Sequence, residues 1–162
     1  MSDTSPLRAL AHLGLVELLG SLFAEVYVPP AVAAEVAVAR AKLPALDLSR
    51  WPFVRVVPVV DVSRAAAFTA GLHPGETESI ALALQAGASH VLMDDRDGRA
   101  AAVAAGLVPV GVLGLLIEFT RVGLVRAVAP LLDRLVIEID FFVKTSVREQ
   151  VLKLAGEWPT AP

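Results

Sequence analysis

Short β-branched runs alternate with longer stretches rich in alanine and leucine along this 162-residue chain. Leu7 to Leu13 and Leu15 to Phe23 predict two short helices, the first capped by Thr4 or Ser5 with Pro6 just inside. Val26-Tyr27-Val28 reads as a strand stopped by Pro29-Pro30, and Ala31 to Ala41 as the helix that follows. A loop with Pro44 and Pro52 leads into a second strand over Val54 to Val60, and Ser63 opens a short helix ending near Gly71. His73-Pro74-Gly75-Glu76 begins the clearest helix, which runs through Ile80 to Ala86 and stops at Gly87. Val91-Leu92-Met93 is a strand that ends in Asp94-Asp95, and Asp97 to Ala105 is helical. Val108 to Val112 is extended and Leu113 to Val122 helical, with further helix around Pro130 to Leu135 and Ser146 to Gly156. Strands separated by helices of this length predict an α/β fold, a parallel sheet with covering helices. No linker or repeat divides the chain. The pattern predicts an α/β core over 1–115 and a helical C-terminal segment over 116–162 packed on the same domain.

Composition narrows this further. The chain is 56% hydrophobic and only 19% charged, so it can bury a large core, which excludes disorder. Aromatics make up 6%, leaving alanine, valine and leucine to fill that core. With 14 basic and 17 acidic residues the net charge is −3, which argues against holding nucleic acid by bulk positive charge. The absence of cysteine removes disulfides, thiolate nucleophiles and zinc–sulfur sites and makes the cytoplasm the default compartment. Ala100 to Ile117 carries no charge over 18 residues, but Gly106, Pro109, Gly111 and Gly114 make it a poor membrane span. Acidic Asp3 sits where a signal peptide would be basic.

The candidate chemistry is acidic. Active crevices of open parallel sheets lie beyond the carboxyl ends of the strands, where Asp94 and Asp95 fall. Adjacent carboxylates there need a neutralising partner. Arg96 and Arg99 offer one, and a divalent metal with a preference for hard oxygen ligands offers another. Glu76 and Glu78 lie in the first turn of the clearest helix, where acidic groups also complement the helix dipole. Glu35 sits mid-helix among valines and alanines, and Asp3 before a helix entrance, where it can act as an Asx-type cap. His12, His73 and His90 show no ligand spacing. His73 suits a helix cap at Pro74, and Trp51 and Trp158 suit packing.

Asp-Thr-Ser-Pro-Leu at 3–7, Val-Pro-Pro-Ala-Val-Ala-Ala-Glu at 28–35, Pro-Gly-Glu-Thr-Glu-Ser-Ile-Ala-Leu-Ala at 74–83 and Leu-Met-Asp-Asp-Arg at 92–96 together resemble the PIN-domain family. Gly-Val-Leu-Gly-Leu-Leu at 111–116, Gly-Leu-Val at 123–125 and Pro-Leu-Leu-Asp-Arg-Leu at 130–135 are similar to a branch with an extra C-terminal helical segment. The resemblance implies a three-layer α/β/α domain and a metal-dependent ribonuclease, often the VapC-like toxin of a toxin–antitoxin pair. Asp3, Glu35, Glu76 and Asp94 match its four acidic positions, with Asp95 able to share the last and Glu78 a second choice for the third. These would hold Mg²⁺ or Mn²⁺, and single-stranded RNA would be the substrate. Ser5 would position a ligand or water, and Arg96 and Arg99 would steady phosphates. The implied partners are an antitoxin protein and a second copy of the chain in a homodimer.

Two departures stand out. A full strand usually precedes the first aspartate, and here only Met1-Ser2 does, which implies a trimmed start or a degraded strand with Asp3 poorly held. Ile137 to Val143 also lacks the glycine that the branch carries before its phenylalanine, which implies different docking of the tail. The shortened start leaves open a catalytically inactive PIN-fold module that binds protein or nucleic acid. Asp94-Asp95 alone would also serve another carboxylate-metal phosphohydrolase on a doubly wound sheet.

Overall fold

The computed structural model describes residues 1–158. They form two compact units that divide between Gly111 and Val112. The division expected after residue 115 would cut the helix α6 (Val112–Arg121), whose continuous hydrogen-bonded backbone keeps it in the second unit.

In the first unit, β1 (Val26–Val28) pairs in parallel with β2 (Val54–Val56), and β3 (His90–Leu92) in parallel with β4 (Val108–Val110). The residues before Asp3 join the two pairs. Ser2 donates its amide to Tyr27 O at 3.0 Å and forms a parallel bridge with Leu92. Leu92 donates to Met1 O at 2.7 Å, and Asp3 donates to Leu92 O at 2.9 Å. Two residues thus do the work of a strand, and Asp3 is held by backbone bonds after all.

Several elements are shorter than the sequence predicts, each for a visible reason. β2 stops at Val56, ahead of Pro58, which has no amide to give. Gln85 then takes Pro58 O at 3.2 Å and the Val60 amide at 2.8 Å in place of a neighbouring strand. α3 (Pro30–Val36) ends five residues early because its terminal carbonyls find tertiary donors. The Leu46 amide takes Val36 O at 2.8 Å, and the Arg8 guanidinium takes Glu35 O at 2.9 Å and Val38 O at 2.7 Å. α1 runs over Thr4–Leu13, one turn longer than expected at its start, with Asp3 rather than Thr4 or Ser5 at the N-cap position. It ends at Gly14, whose left-handed backbone (φ 72°) closes the last turn. The stretch expected as one helix from Leu15 is a 3-10 turn at Val16–Leu18 followed by α2 (Leu19–Leu22).

α4 (Pro74–Gln85) is the central helix. It buries Ile80, Ala81, Leu82 and Ala83 in succession, as a helix covered on most sides must. Ile80, Ala81 and Ala83 share a core with Val91 and Met93 from β3 and its exit and with Ala101 and Ala102 of α5 (Arg96–Ala104).

The second unit holds α6, α7 (Ala129–Ile139) and α8 (Thr145–Leu154). α6 buries Val112, Leu115, Leu116 and Phe119, one face of a 3.6-residue repeat. Glu157 caps α7 by accepting from the Val128 and Ala129 amides at 2.5 and 2.8 Å. Asp140, immediately before Phe141, adopts the left-handed conformation (φ 56°) that glycine would otherwise supply. Among the described residues no helix is long and apolar enough to cross a membrane.

Candidate active site

Because Ser2 and Leu92 pair in parallel, the chain leaves both strands at the same end, placing Asp3 and Asp94 together beyond the carboxyl edge. A cleft of about 540 Å³ opens there, lined by Asp3, Glu35 and Glu76 with Thr4, Ser5, Arg40 and His73 among its walls. Asp3 is 5% exposed and stands at the N-cap position of α1, where the Thr4 backbone amide hydrogen-bonds its carboxylate. Glu35 projects from the end of α3. Its Oε2 accepts from Thr4 Oγ1 at 2.9 Å, and its Oε1 pairs with Arg40 Nη1 at 3.0 Å. Glu76 reaches back from the first turn of α4, where Oε2 accepts the His73 amide at 3.1 Å. His73 is the N-cap of that helix, as the sequence suggests.

Close backbone approach makes room for these carboxylates. A Cβ on Gly75 would stand 3.3 Å from Asp3 Oδ1 and 3.5 Å from Glu35 Oε2. A Cβ on Gly111 would stand 2.7 Å from Asp94 Oδ1 and 3.3 Å from Arg99 Nη1. Asp94 is outside the cleft lining, directly after β3 and beside Arg99, which also donates to Met93 O at 2.9 Å.

The remaining candidates are placed differently. Asp95 caps α5, its Oδ1 accepting the Asp97 and Gly98 amides at 2.8 and 2.9 Å. Glu78 is outside the cleft lining and takes the Ala31 amide at 2.9 Å, in the first turn of α3. Ser5 is exposed on the cleft wall, and Arg96 is exposed at the start of α5. Trp51 is packed and donates to Glu17 Oε1 at 2.9 Å, while Lys153 lies over Trp158 at 5.4 Å.

The carboxylates sense one another. Burial pushes Asp3 up to about 6 against the lowering pull of the Thr4 amide, and the charges of Glu76, Glu35 and Asp94 add to that rise. Glu76 is also raised, by burial first and then by Asp95 and Asp97, against the lowering pull of the His73 amide. Asp3 and the three carboxylates whose charge it feels form a set of hard oxygen donors suited in kind to a divalent cation. As the side chains stand, no three such groups among the described residues gather closely enough to hold an ion. Glu35 accounts for part of this, since both of its oxygens are engaged.

Sequence reasoning missed Arg8 and Arg40. Arg8 is buried within α1, where its guanidinium takes the carbonyls of Pro44, Glu35 and Val38. An arginine on an apolar helix face carries that signal, since burial demands polar partners. Arg40 follows Glu35 by five residues, off the helical i, i+4 spacing, so nothing local marks the pair.

Parallel strands, covering helices and a carboxylate-lined crevice at the strand ends define an α/β fold with an acidic site at its carboxyl edge. A family model described as a PIN domain matches residues 1–157, and the chain belongs to that family. PIN domains are generally nucleases that use divalent metals, which gives the protein, at that level, a nuclease-type hydrolase fold. No curated protein matches the chain. No solved structure matches it either.

Proposed function

We propose that this protein is a metal-dependent endoribonuclease that hydrolyses single-stranded RNA in the cytoplasm as the toxin of a VapBC-like pair. The observation that supports it best is the convergence of Asp3, Glu35 and Glu76 on one cleft with the charge of Asp94 felt at Asp3. Asp3, Glu35, Glu76 and Asp94, with Asp95 beside them, would hold Mg²⁺ or Mn²⁺. When bound, such an ion polarises the scissile phosphate and lowers the pKa of a water. A carboxylate of this set that the ion leaves free would take the proton of the attacking water. Thr4 and Ser5 shape the wall along which the strand lies, and Arg99 holds the chain at the end of β3 by donating to Met93 O. Exposed Ile137 and Phe142 in the second unit, 74% and 80% accessible, support a homodimer or an antitoxin contact.

The test is Mn²⁺ calorimetry on wild type and Asp94→Asn, followed by RNA cleavage with the same samples. Wild type should bind and cut, and the variant should lose on the order of 100-fold in both. Wild type that binds no Mn²⁺ and leaves RNA intact would overturn the reading. A second reading, an inactive PIN-fold binding module, draws support from Glu35 being held by Thr4 and Arg40. It expects wild type to bind RNA without Mn²⁺-dependent cleavage.

A further inference from the structure

Among the described residues that line the acidic cleft, Arg40 is the one arginine or lysine, and its backbone and side chain behave differently. The backbone is pinned in a tight turn, with the Arg40 amide on Leu43 O at 2.8 Å and the Leu43 amide on Arg40 O at 2.6 Å. Ala41 in the turn carries a left-handed φ of 39°, a conformation that a residue with a Cβ adopts only when its surroundings impose it. The guanidinium, by contrast, is 63% exposed and returns over the cleft to Glu35 Oε1. An ion pair so exposed contributes about 0–1 kcal/mol, so it is cheap to break.

Two features make the break directional. Thr4 Oγ1 holds the other oxygen of Glu35, so that carboxylate keeps its aim when Arg40 departs. Arg8 lies behind, buried and committed to three carbonyls, and its charge and that of Arg40 oppose each other. The inner guanidinium therefore cannot follow the outer one, and it favours movement of Arg40 outward. A guanidinium matches a phosphodiester through two parallel N–H···O bonds, which makes the exchange from carboxylate to phosphate chemically conservative.

We infer that Arg40 is the phosphate-binding residue of this cleft, parked on Glu35 until a nucleic-acid strand takes it away and leaves Glu35 to a cation. The inference rests on the ribonuclease reading and adds to it the side chain that exchanges substrate for metal ligand.

The experiment compares wild type, Arg40→Ala and Arg40→Lys, each first shown by thermal unfolding to be folded. Without RNA, Mn²⁺ titrated calorimetrically should bind Arg40→Ala about two- to fivefold more tightly than wild type, the worth of the lost ion pair. With a single-stranded RNA substrate and saturating Mn²⁺, Arg40→Ala should raise KM about 10-fold or more, with a much smaller change in kcat, and Arg40→Lys, which keeps the charge but not the fork, should recover only part of that loss. Wild type that cuts RNA alongside an Arg40→Ala variant of unchanged KM would overturn the role of Arg40 while leaving the nuclease reading intact. Unchanged Mn²⁺ affinity in Arg40→Ala would overturn the parking on Glu35. Wild type that neither binds Mn²⁺ nor cuts would overturn both.

Discussion

Thr4 Oγ1 donates to Glu35 Oε2 at 2.9 Å and ties the first turn of α1 to the last turn of α3. The bond joins residues 31 apart in sequence and holds the Glu35 carboxylate through a neutral donor. Thr4→Val keeps the shape and removes the donor, so it should cost about 1 kcal/mol in urea unfolding. A loss below about 0.3 kcal/mol would mean that Glu35 does not depend on Thr4.

Asp3 makes stability fall as pH rises. Its ordinary value of 3.8 is raised to about 6 in the folded protein, so between these values the unfolded chain has released its proton and the folded chain keeps it. The folded state then loses ground through that window, and above it carries a penalty on the order of 2–3 kcal/mol. Asp3→Asn should therefore raise Tm near pH 7.5 by several degrees and lose that advantage below about pH 4. Equal stabilities at both pH values would show that Asp3 is not raised.

Arg8→Met keeps the stem of the side chain and strips the Pro44, Glu35 and Val38 carbonyls of their donor. Loss of these part-buried bonds should lower stability by about 1–3 kcal/mol, read from denaturant midpoints. The end of α3 should loosen as well, visible as faster hydrogen exchange at the Leu46 amide, which is bonded to Val36 O. A midpoint equal to that of wild type would show the guanidinium to be dispensable.

Gly111→Ala would place a methyl group 2.7 Å from Asp94 Oδ1. The Asp94 carboxylate must then move, at a cost of about 1–3 kcal/mol. Under the nuclease reading, Mn²⁺ affinity should drop about 10-fold or more while the far-UV spectrum stays that of the wild type. Retained affinity would mean that Asp94 does not contribute to metal binding from its present position.

The outline of the fold was legible because periodicity reports burial directly. Val112, Leu115, Leu116 and Phe119 mark one helical face, and His73 through Gln85 carry both a cap signal and an apolar run. The ends of β2 and α3 were less legible. Proline at 58 was visible as a breaker, but the replacement of a strand neighbour by Gln85 was not. The end of α3 was set by Arg8 and Leu46, which are distant in sequence and became donors only once the chain had folded. The weak start before Asp3 misled for the same reason, since strand character there comes from its neighbours Tyr27 and Leu92.

By itself the sequence determined the α/β class, the order of the helices and strands, and a short set of acidic residues at element ends. These follow from local propensity and from the period of the apolar positions, which neighbours along the chain can specify. Tertiary structure alone decided which carboxylates share a cleft. Parallel pairing of Ser2 with Leu92 brought Asp3 beside Asp94, while helix geometry turned Glu76 inward and sent Glu78 to the amide of Ala31. It also supplied Arg40, whose place on the cleft depends on a helix that ends early. Such choices rest on contacts between residues tens of positions apart, and no local pattern encodes them.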